Sequence, residues 1–357
     1  MNEFWLSLAL SFVNPFVSTQ EISLLYAGDA MQHIAQIRAA KSVGDTYSYT
    51  ECFEDIKDYI SSADYSVVNF ETTLGGKPFT GYPCFSSPTE FAKSLHEAGF
   101  DLFLNANNHT LDRQDKGLKR TNNILDSLSI SHIGTYLNKQ DREDKVPYIK
   151  DINGFKILFL NYTYGTNGIS PKNVVVNYID TIQIKKDIEL SRTNGAEIIS
   201  VQIHWGDEYK LMPNKNQQKI ANFLLNQGVD LIIGGHPHVI QPMEIRYSEK
   251  YNKDCLIVYS LGNFISDMKT TDTRGGVMVR VVLTKDVLGK AKLKSANYSL
   301  IFTLPSDGKS NYRVVPVEDV TSGYRKIQAD NFEKSAERIF SKHNIGVTRE
   351  SANLIRN

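Results

Sequence analysis

The chain has 357 residues, which is enough for one large α/β domain with an appendage or for two modest domains. Hydrophobic residues make up 41% of it and charged residues 22%, which excludes a mostly disordered chain and a polytopic membrane protein. Lys plus Arg and Asp plus Glu both number 40, so the chain lacks the basic excess of a general nucleic-acid binder.

The first twenty residues form an apolar segment, and the run at residues 4–17 is too short to span a bilayer as a helix. That run is similar to the hydrophobic region of a signal peptide, and Ser18 and Thr19 supply small residues for cleavage. Glu3 and the lack of a Lys or Arg before the run are atypical of export signals. Residues 1–20 predict an exported protein of the cell envelope, with a cytoplasmic N-terminal helix as the alternative.

Short apolar runs then alternate with amphipathic segments. The predicted strands are residues 22–26, 65–69, 102–105, 155–161, 197–203, 230–233 and 256–259, and the predicted helices are residues 51–61, 88–98, 116–128, 181–193 and 216–226. This order predicts an α/β fold with largely parallel strands.

Past residue 273 the pattern changes. Residues 276–283, 292–303 and 312–317 predict successive antiparallel strands, and residues 331–343 predict a terminal surface helix. The predicted organisation is therefore a main domain at residues 22–266 and a C-terminal β extension with a helix, packed on it, at residues 274–357.

Almost every strand of the main domain leads into a side chain that can bind a metal. These residues are Asp29, Glu71, Asn108, His109, His204, His236 and His238. Open α/β sheets bind ligands at the carboxyl ends of their strands. Carboxylates with imidazoles suit Zn²⁺, Mn²⁺ or Fe²⁺ better than Ca²⁺. The three cysteines are widely spaced and predict neither a disulfide framework nor a zinc finger.

Each element taken alone has a simpler explanation. Gly28-Asp29 is typical of a turn, and residues 107–109 are typical of a helix cap. His204 alone is compatible with a packed core histidine. Glu71 is harder to dismiss, because a carboxylate after an apolar strand needs a partner charge to offset its desolvation. His236-Pro237-His238 is the most specific element, because residues i and i+2 of an extended segment point to the same side.

The other four histidines are weaker candidates. His33 follows Asp29 by four residues and reaches the same site only if a helix begins at once. Met31 occupies the position at which a D-x-H motif would place its histidine. The remaining three are interpreted as surface or packing residues: His96, His132 and His343.

The motifs together resemble a known family. They are, in chain order, Gly28-Asp29, NFETTL at residues 69–74, NANNHTLD at 105–112, HWGDEY at 204–209, GVDLIIGGHPHVIQ at 228–241 and YSLGNF at 259–264. They are similar to the motifs of the bacterial capsule-synthesis CapA-like family, also called PGA_cap, of the calcineurin-like metallophosphoesterase superfamily. The resemblance spans residues 22–266 and implies a four-layer α/β/β/α sandwich with a two-metal site at the strand ends. The C-terminal antiparallel β extension and terminal helix would follow it.

The resemblance also implies a role for each candidate residue. Asp29 and His238 are similar to ligands of the first metal, Asn108, His204 and His236 to ligands of the second, and Glu71 to the bridging carboxylate. His109 is similar to the neighbouring acid/base histidine, and Asp112 is placed to orient its ring. The chain departs from the superfamily in lacking the D-x-H histidine and in having glutamate at the bridging position, which is usual for the capsule family.

The leading hypothesis is a metal-dependent hydrolase or transferase with two divalent metal ions (Mn, Fe or Zn). It would act on a phosphoester or an amide in the synthesis of capsule, poly-γ-glutamate or another envelope polymer, beside membrane-embedded capsule machinery. The alternative is a non-catalytic polymer-binding scaffold of an envelope assembly, with residues 274–357 as its partner surface. A third hypothesis is a nucleotide or sugar-phosphate hydrolase that binds phosphate through Arg113, Lys210 and Arg274.

Overall fold

The computed structural model describes residues 20–350, so the predicted signal peptide lies, but for Gln20, outside the described residues. The strands there are β1 (Glu21–Ala30), β2 (Tyr65–Phe70), β3 (Leu102–Leu104), β4 (Ser131–Ile133), β5 (Thr135–Tyr136), β6 (Tyr148–Ile152), β7 (Phe155–Thr163), β8 (Val175–Val176), β9 (Ile198–His204), β10 (Leu231–Gly235), β11 (Met243–Ser248), β12 (Lys253–Val258), β13 (Asn263–Ile265), β14 (Gly275–Lys285), β15 (Ala291–Leu304), β16 (Arg313–Pro316) and β17 (Val347–Arg349). The α-helices there are α1 (Ile34–Ala39), α2 (Lys57–Ser61), α3 (Thr89–Glu97), α4 (Gln114–Ser127), α5 (Lys139–Lys145), α6 (Thr181–Thr193), α7 (Lys215–Asn226) and α8 (Gly323–His343). None of these helices is long and apolar enough to cross a membrane.

The strands of residues 20–350 form two large sheets. The first has the order β16-β15-β14-β1-β2-β3-β4, with β13 beside β1 and β17 beside β15. The second has the order β11-β12-β10-β9-β7-β6, and a separate small ladder joins β5 to β8. Strands β1 to β4 run parallel, whereas β14 is antiparallel to β1. The C-terminal strands therefore extend the first sheet by hydrogen bonding.

Alternation along the strands divides the core into layers. In β1, Leu24 and Tyr26 belong to the core between the two sheets, whereas Leu25 and Ala27 belong to the core under α3. In β10, Leu231 faces the inner core, and the next residue packs with α6 and α7 on the far side. Each sheet is thus buried on both faces, which explains its nearly continuous apolar strands. The expected four-layer α/β/β/α sandwich is confirmed.

Helix α8 closes the inner core beside β14 and β15. It contributes Ala329, Phe332, Ala336 and Ile339 to that core. A Cβ at Gly275 would lie 2.4 Å from the ring of Phe332, so the helix packs directly on the start of β14. The terminal helix begins at Gly323, eight residues before its predicted start.

The single helix predicted at residues 51–61 is wrong. The chain forms a 3-10 turn at Thr50–Cys52, and α2 follows only at Lys57–Ser61. Ile56 has φ −123° and ψ −6°, which lies outside the helical range and interrupts the element. The apolar residues still bury one common face, because short turns reproduce helical spacing without a continuous helix.

The short strands β4, β5, β8 and β17 were not predicted, because two or three residues are too few to establish an alternation.

Candidate metal centre

The strand ends of the two sheets meet at one edge of the sandwich. Asp29 lies near the end of β1, Glu71 directly follows β2, and His204 is the last residue of β9. The backbone N–H of His236, just past β10, donates to Asp29 Oδ2 at 3.3 Å and so links the two sheets. The cluster forms here because parallel strands place their carboxyl ends at the same edge.

Asn69 holds the two buried carboxylates side by side. Its Nδ2 donates to Asp29 Oδ1 at 2.7 Å and to Glu71 Oε2 at 3.2 Å. The same nitrogen lies 3.4 Å from His204 Nδ1. Asn69 was not among the predicted site residues. Its spacing of two from Glu71, which predicts a common side of the strand, is the signal that marks it.

His204 lies between the carboxylates and the segment after β3. Its Nε2 is 2.9 Å from Asn108 Oδ1 and 3.7 Å from Glu71 Oε1. Its ring centroid lies 4.8 Å from that of His236. The structure therefore brings Asn108 and His236 to His204, which itself lies beside Glu71.

His238 lies beside both carboxylates. Its Nδ1 lies 3.2 Å from Asp29 Oδ2 and 3.0 Å from Asn263 Oδ1. Its Nε2 lies 3.8 Å from Glu71 Oε1. Glu71 Oε1 is thus nearly equidistant from His204 Nε2 and His238 Nε2.

His236 and His238 lie together through a backbone conformation that differs from the predicted extended one. Their φ angles are +100° and +57°, so the segment is a left-handed turn after β10 and not an extended strand. Such a conformation costs a non-glycine residue about 1–3 kcal/mol and is found mainly at functional sites. The two ring centroids lie 5.9 Å apart. The structure brings the two imidazoles together as expected, but the predicted extended conformation is wrong.

Burial favours the neutral forms of Glu71, His204 and His236, whereas Asp29 stays ionised. Burial, followed by the charge of Asp29, raises the pKa of Glu71 well above its usual range. Burial, followed by neighbouring histidines, lowers the pKa of His204 well below its usual range and that of His236 to about 3. Burial opposes ionisation of Asp29 as well, but hydrogen bonding and charge from His238 lower its pKa to about 2. Neutral imidazole is the form that binds a metal.

These side chains satisfy the requirements of a divalent cation. Within residues 20–350, the ion-pair partners of Asp29 and Glu71 are histidines, and no Lys or Arg nitrogen lies within 4.0 Å of either carboxylate. Glu71 Oε1 and His236 Nδ1 are buried without a hydrogen-bond partner. A buried carboxylate is costly unless it is paired or protonated, so a divalent cation held by these donors would offset that cost. Among residues 20–350, two sets of three side chains each bring their ligand atoms within 4.8 Å of one another. These sets are Asp29–Glu71–His238 and Glu208–His236–His238.

Glu208 is the donor that sequence reasoning missed. It is the exposed member of the second group, in the loop after β9. The strand-end pattern does not predict Glu208, because it lies four residues past the end of β9, although it belongs to the HWGDEY motif.

His109 forms a pair with Asp112. Its Nδ1 lies 2.8 Å from Asp112 Oδ2, and both side chains are almost completely buried. Its ring packs edge-on against Phe85, with centroids 4.6 Å apart. It also lies within electrostatic range of His204 and His236, as their lowered pKa values reflect. The predicted acid/base residue, His109, and Asp112, which was predicted to orient its ring, therefore adjoin the cluster.

Residues 107–109 do not cap a helix, since α4 begins only at Gln114. Asn107 instead donates from Nδ2 to the carbonyl of Phe70 at 3.0 Å and accepts the N–H of His109 on Oδ1 at 3.1 Å. It therefore ties the His109 turn to the end of β2.

The other histidines make contacts outside the donor groups. Nδ1 of His33 lies 3.2 Å from Gln36 Oε1 and accepts the N–H of Asp267 at 3.2 Å. His96 and His132 bond to Phe100 O at 2.9 Å and Asp126 Oδ1 at 3.0 Å, respectively. His343 is the last residue of α8.

Aromatic rings frame the mouth of the cluster. The ring centroid of Tyr164 lies 4.5 Å from that of His236, and that of Tyr209 lies 6.3 Å from that of His238. Both tyrosines are about half exposed, at 48% and 54%. They offer flat apolar surfaces to a ligand that approaches the histidines.

Comparison with known proteins connects this geometry to a family. Residues 23–268 match the family model described as bacterial capsule synthesis protein PGA_cap. The chain is 28% identical over 285 residues to the PGA biosynthesis protein CapA of Bacillus subtilis (strain 168), which covers 76% of this chain and 70% of the relative. It is 28% identical over 274 residues to the capsule biosynthesis protein CapA of Bacillus anthracis, which covers 73% of this chain and 64% of the relative.

Solved structures share the fold at low sequence identity. The NAD nucleotidase (NadN) of Haemophilus influenzae superposes with a TM-score of 0.52 at 14% identity, over 95% of this chain and 59% of that chain. A putative 5′-nucleotidase of Staphylococcus aureus also gives 0.52, at 13% identity, over 88% of this chain and 58% of that chain. These similarities show the fold alone. The chain spans less than two thirds of the length of the Bacillus anthracis relative and of both solved chains.

Proposed function

Because the chain belongs to the bacterial capsule synthesis protein PGA_cap family, we propose that it is a metal-dependent hydrolase or transferase that acts on a cell-envelope polymer. The bond is a phosphoester or an amide, and poly-γ-glutamate is the polymer that the family suggests. One observation carries this proposal. Buried carboxylates and imidazoles converge at the strand ends with no Lys or Arg of residues 20–350 within 4.0 Å of Asp29 or Glu71.

The donors divide between two cations of the Mn, Fe or Zn type. Asp29 and His238 would hold one cation, and Asn108, His204 and His236 would hold the other, with Glu71 shared between them. The distances of 3.7 and 3.8 Å from Glu71 Oε1 to the two imidazoles support this division. They exceed hydrogen-bond length, yet they suit donors that each lie about 2.0–2.2 Å from a common cation. When bound, the cations would supply Lewis-acid activation of water and of the phosphoryl or carbonyl oxygen.

The chain itself would supply the proton. Asp112 occupies Nδ1 of His109, so Nε2 is the nitrogen that would donate to the leaving oxygen or nitrogen. Asp112 also stabilises the charged imidazolium that serves as the donor. The exposed rings of Tyr164 and Tyr209 would hold the polymer against the histidines.

We place the site of action in the cell envelope, with an envelope polymer as the partner and capsule machinery in the membrane as a further partner. The family supports this location. The third hypothesis, phosphate binding by Arg113, Lys210 and Arg274, gains no support, because no side-chain hydrogen bond or ion pair among residues 20–350 joins these three residues to the donor groups. Arg113 donates to the carbonyl of Pro78 at 2.6 Å, and Arg274 is only 5% exposed.

The non-catalytic scaffold remains the second candidate, because Met31 stands where the superfamily has its D-x-H histidine. Elemental analysis of the purified protein distinguishes the two, with a His236→Ala, His238→Ala variant beside it. A His96→Ala, His343→Ala variant is the matched control, since both of its histidines lie outside the donor groups.

Near two equivalents of a transition metal in the wild type and the control, lost in the His236→Ala, His238→Ala variant, support the enzyme. Phosphodiester and γ-glutamyl substrates are then screened with that metal. No metal above the variant's background, even after reconstitution with Mn²⁺, Fe²⁺ or Zn²⁺, overturns the catalytic proposal and favours the scaffold.

A further inference from the structure

Glu208 faces the same space as the two histidines of the left-handed turn. One of its carboxylate oxygens and a ring nitrogen of each of His236 and His238 lie within 4.8 Å of one another. Glu208 is exposed, whereas both histidines are buried, so it lies on the solvent side of the cluster. Among the ion pairs of residues 20–350, none joins Glu208 to a Lys or an Arg.

The loop that carries Glu208 is fixed to that turn. The backbone N–H of Tyr209 donates to the carbonyl of Pro237, the residue between the two histidines, at 2.8 Å. Two further hydrogen bonds hold the loop before and after Glu208. Before it, Asp207 Oδ2 accepts from Asn214 Nδ2 at 2.8 Å. After it, Gln241 Nε2 donates to the carbonyl of Lys210 at 2.7 Å. Tyr209 has φ +64°, a conformation that a non-glycine residue adopts only when its surroundings impose it. The position of Glu208 is therefore set by the fold and not left to a mobile loop.

Two tyrosine rings lie at the same opening. The ring centroid of Tyr164 lies 4.5 Å from that of His236, and that of Tyr209, the residue after Glu208, lies 6.3 Å from that of His238. Glu208 therefore lies where a ligand would reach these two histidines.

We propose that Glu208 is a metal ligand, which the loop after β9 brings to the donor atoms of His236 and His238. This inference rests on the metal centre of the proposed function. A carboxylate oxygen in place of an imidazole nitrogen makes the donor set harder, which favours Mn²⁺ relative to Zn²⁺.

The test measures cation binding by the full chain and needs no substrate. Protein stripped with a chelator is titrated with Mn²⁺ alone, and free Mn²⁺ is followed by electron paramagnetic resonance. The variant is Glu208→Gln, which keeps the size of the side chain and removes its charge. The matched control is Asp207→Asn, because Asp207 is the neighbouring carboxylate and pairs with Asn214 away from the histidines. Thermal unfolding in chelator checks that all three proteins are folded.

We expect Glu208→Gln to lose one Mn²⁺ equivalent or to weaken it by at least about tenfold, since even residues behind a ligand cost about 10–100-fold when removed. Asp207→Asn should bind as the wild type does. Two equivalents bound by Glu208→Gln at wild-type affinity overturn the inference and leave the proposed function standing. An equal loss in Asp207→Asn also overturns it, because the effect would then be one of general charge. A wild type that binds no Mn²⁺ in this titration, and no Fe²⁺ or Zn²⁺ on reconstitution followed by elemental analysis, overturns both proposals.

Discussion

His109 Nδ1 lies 2.8 Å from Asp112 Oδ2, and the same carboxylate oxygen accepts the backbone N–H of Phe85 at 2.7 Å. The ring of Phe85 packs edge-on against His109 at a centroid distance of 4.6 Å. The loop before α3 therefore fixes both the carboxylate and the imidazole. This relationship assigns Nδ1 to Asp112, so the proposed proton transfer would use Nε2.

Asp112→Asn should lower kcat by about 10–100-fold while KM and metal content stay at wild-type values. The carboxamide can still accept the N–H of Phe85, but it no longer stabilises the charged imidazolium. Steady-state kinetics on a substrate found in the screen, together with elemental analysis, measure this. Asp115→Asn is the control, since Asp115 accepts only from the backbone of Lys172 and Asn173 in a neighbouring loop. A kcat equal to that of the wild type would show that Asp112 has no positioning role.

Asn69→Leu should weaken Mn²⁺ binding by about 10–100-fold, because the shared amide that aligns Asp29 and Glu71 is lost. Titration of chelator-stripped protein measures the affinity. Asn297→Leu serves as the control, since that amide contacts Thr348 on the outside of the first sheet at 2.8 Å. If Asn69→Leu bound Mn²⁺ as tightly as the Asn297→Leu control and the wild type do, Asn69 would have no aligning role.

Gly235→Ala should lower cation affinity by at least about tenfold, because the new methyl group would lie 2.8 Å from Asp29 Oδ1 and displace that carboxylate. Gly165→Ala is the matched control, since a Cβ there meets nothing within 4 Å. Mn²⁺ titration is again the measurement, and thermal unfolding in chelator separates lost affinity from lost folding. Unchanged affinity in Gly235→Ala would mean that Asp29 tolerates the displacement or is not a ligand.

His33 should make stability fall on acidification. Burial lowers its pKa from 6.5 to about 4, although Gln36 and Asp267 oppose this effect, while His238 and Lys269 reinforce it. The unfolded chain therefore binds more protons between those two pH values, so the stability is present above pH 6.5 and is lost as the pH falls toward 4. The largest contribution of this one group is about 3 kcal/mol.

Urea unfolding of wild type and His33→Gln in chelator, at neutral pH and at the acid end of that window, measures the effect. Other buried histidines act with the same sign and remain in both proteins, so the difference between the two slopes isolates His33. The variant should lose less stability on acidification than the wild type. Parallel slopes would show that His33 is not held neutral by the fold.

Local pattern was sufficient for the strands that carry the cluster and for most of its donors. Apolar runs that end in a polar residue predicted β1, β2, β9 and β10, because a strand buried on both faces is continuously apolar until it reaches the sheet edge. The same logic failed at residues 51–61, where short turns keep their apolar residues on one buried face. It also assigned an extended conformation to His236 and His238, which the structure places in a left-handed turn.

The sequence by itself determined the family, the layered α/β architecture and the residues of the strand ends, because these depend on residue type and on spacing over a few positions. Only the tertiary structure decided that Asn69 aligns two carboxylates and that Glu208 joins His236 and His238. The hydrogen bond that positions the Glu208 loop joins Tyr209 to Pro237, which lies 28 residues further along the chain. Contacts of this kind depend on how two sheets and their loops pack together, and no local periodicity encodes them.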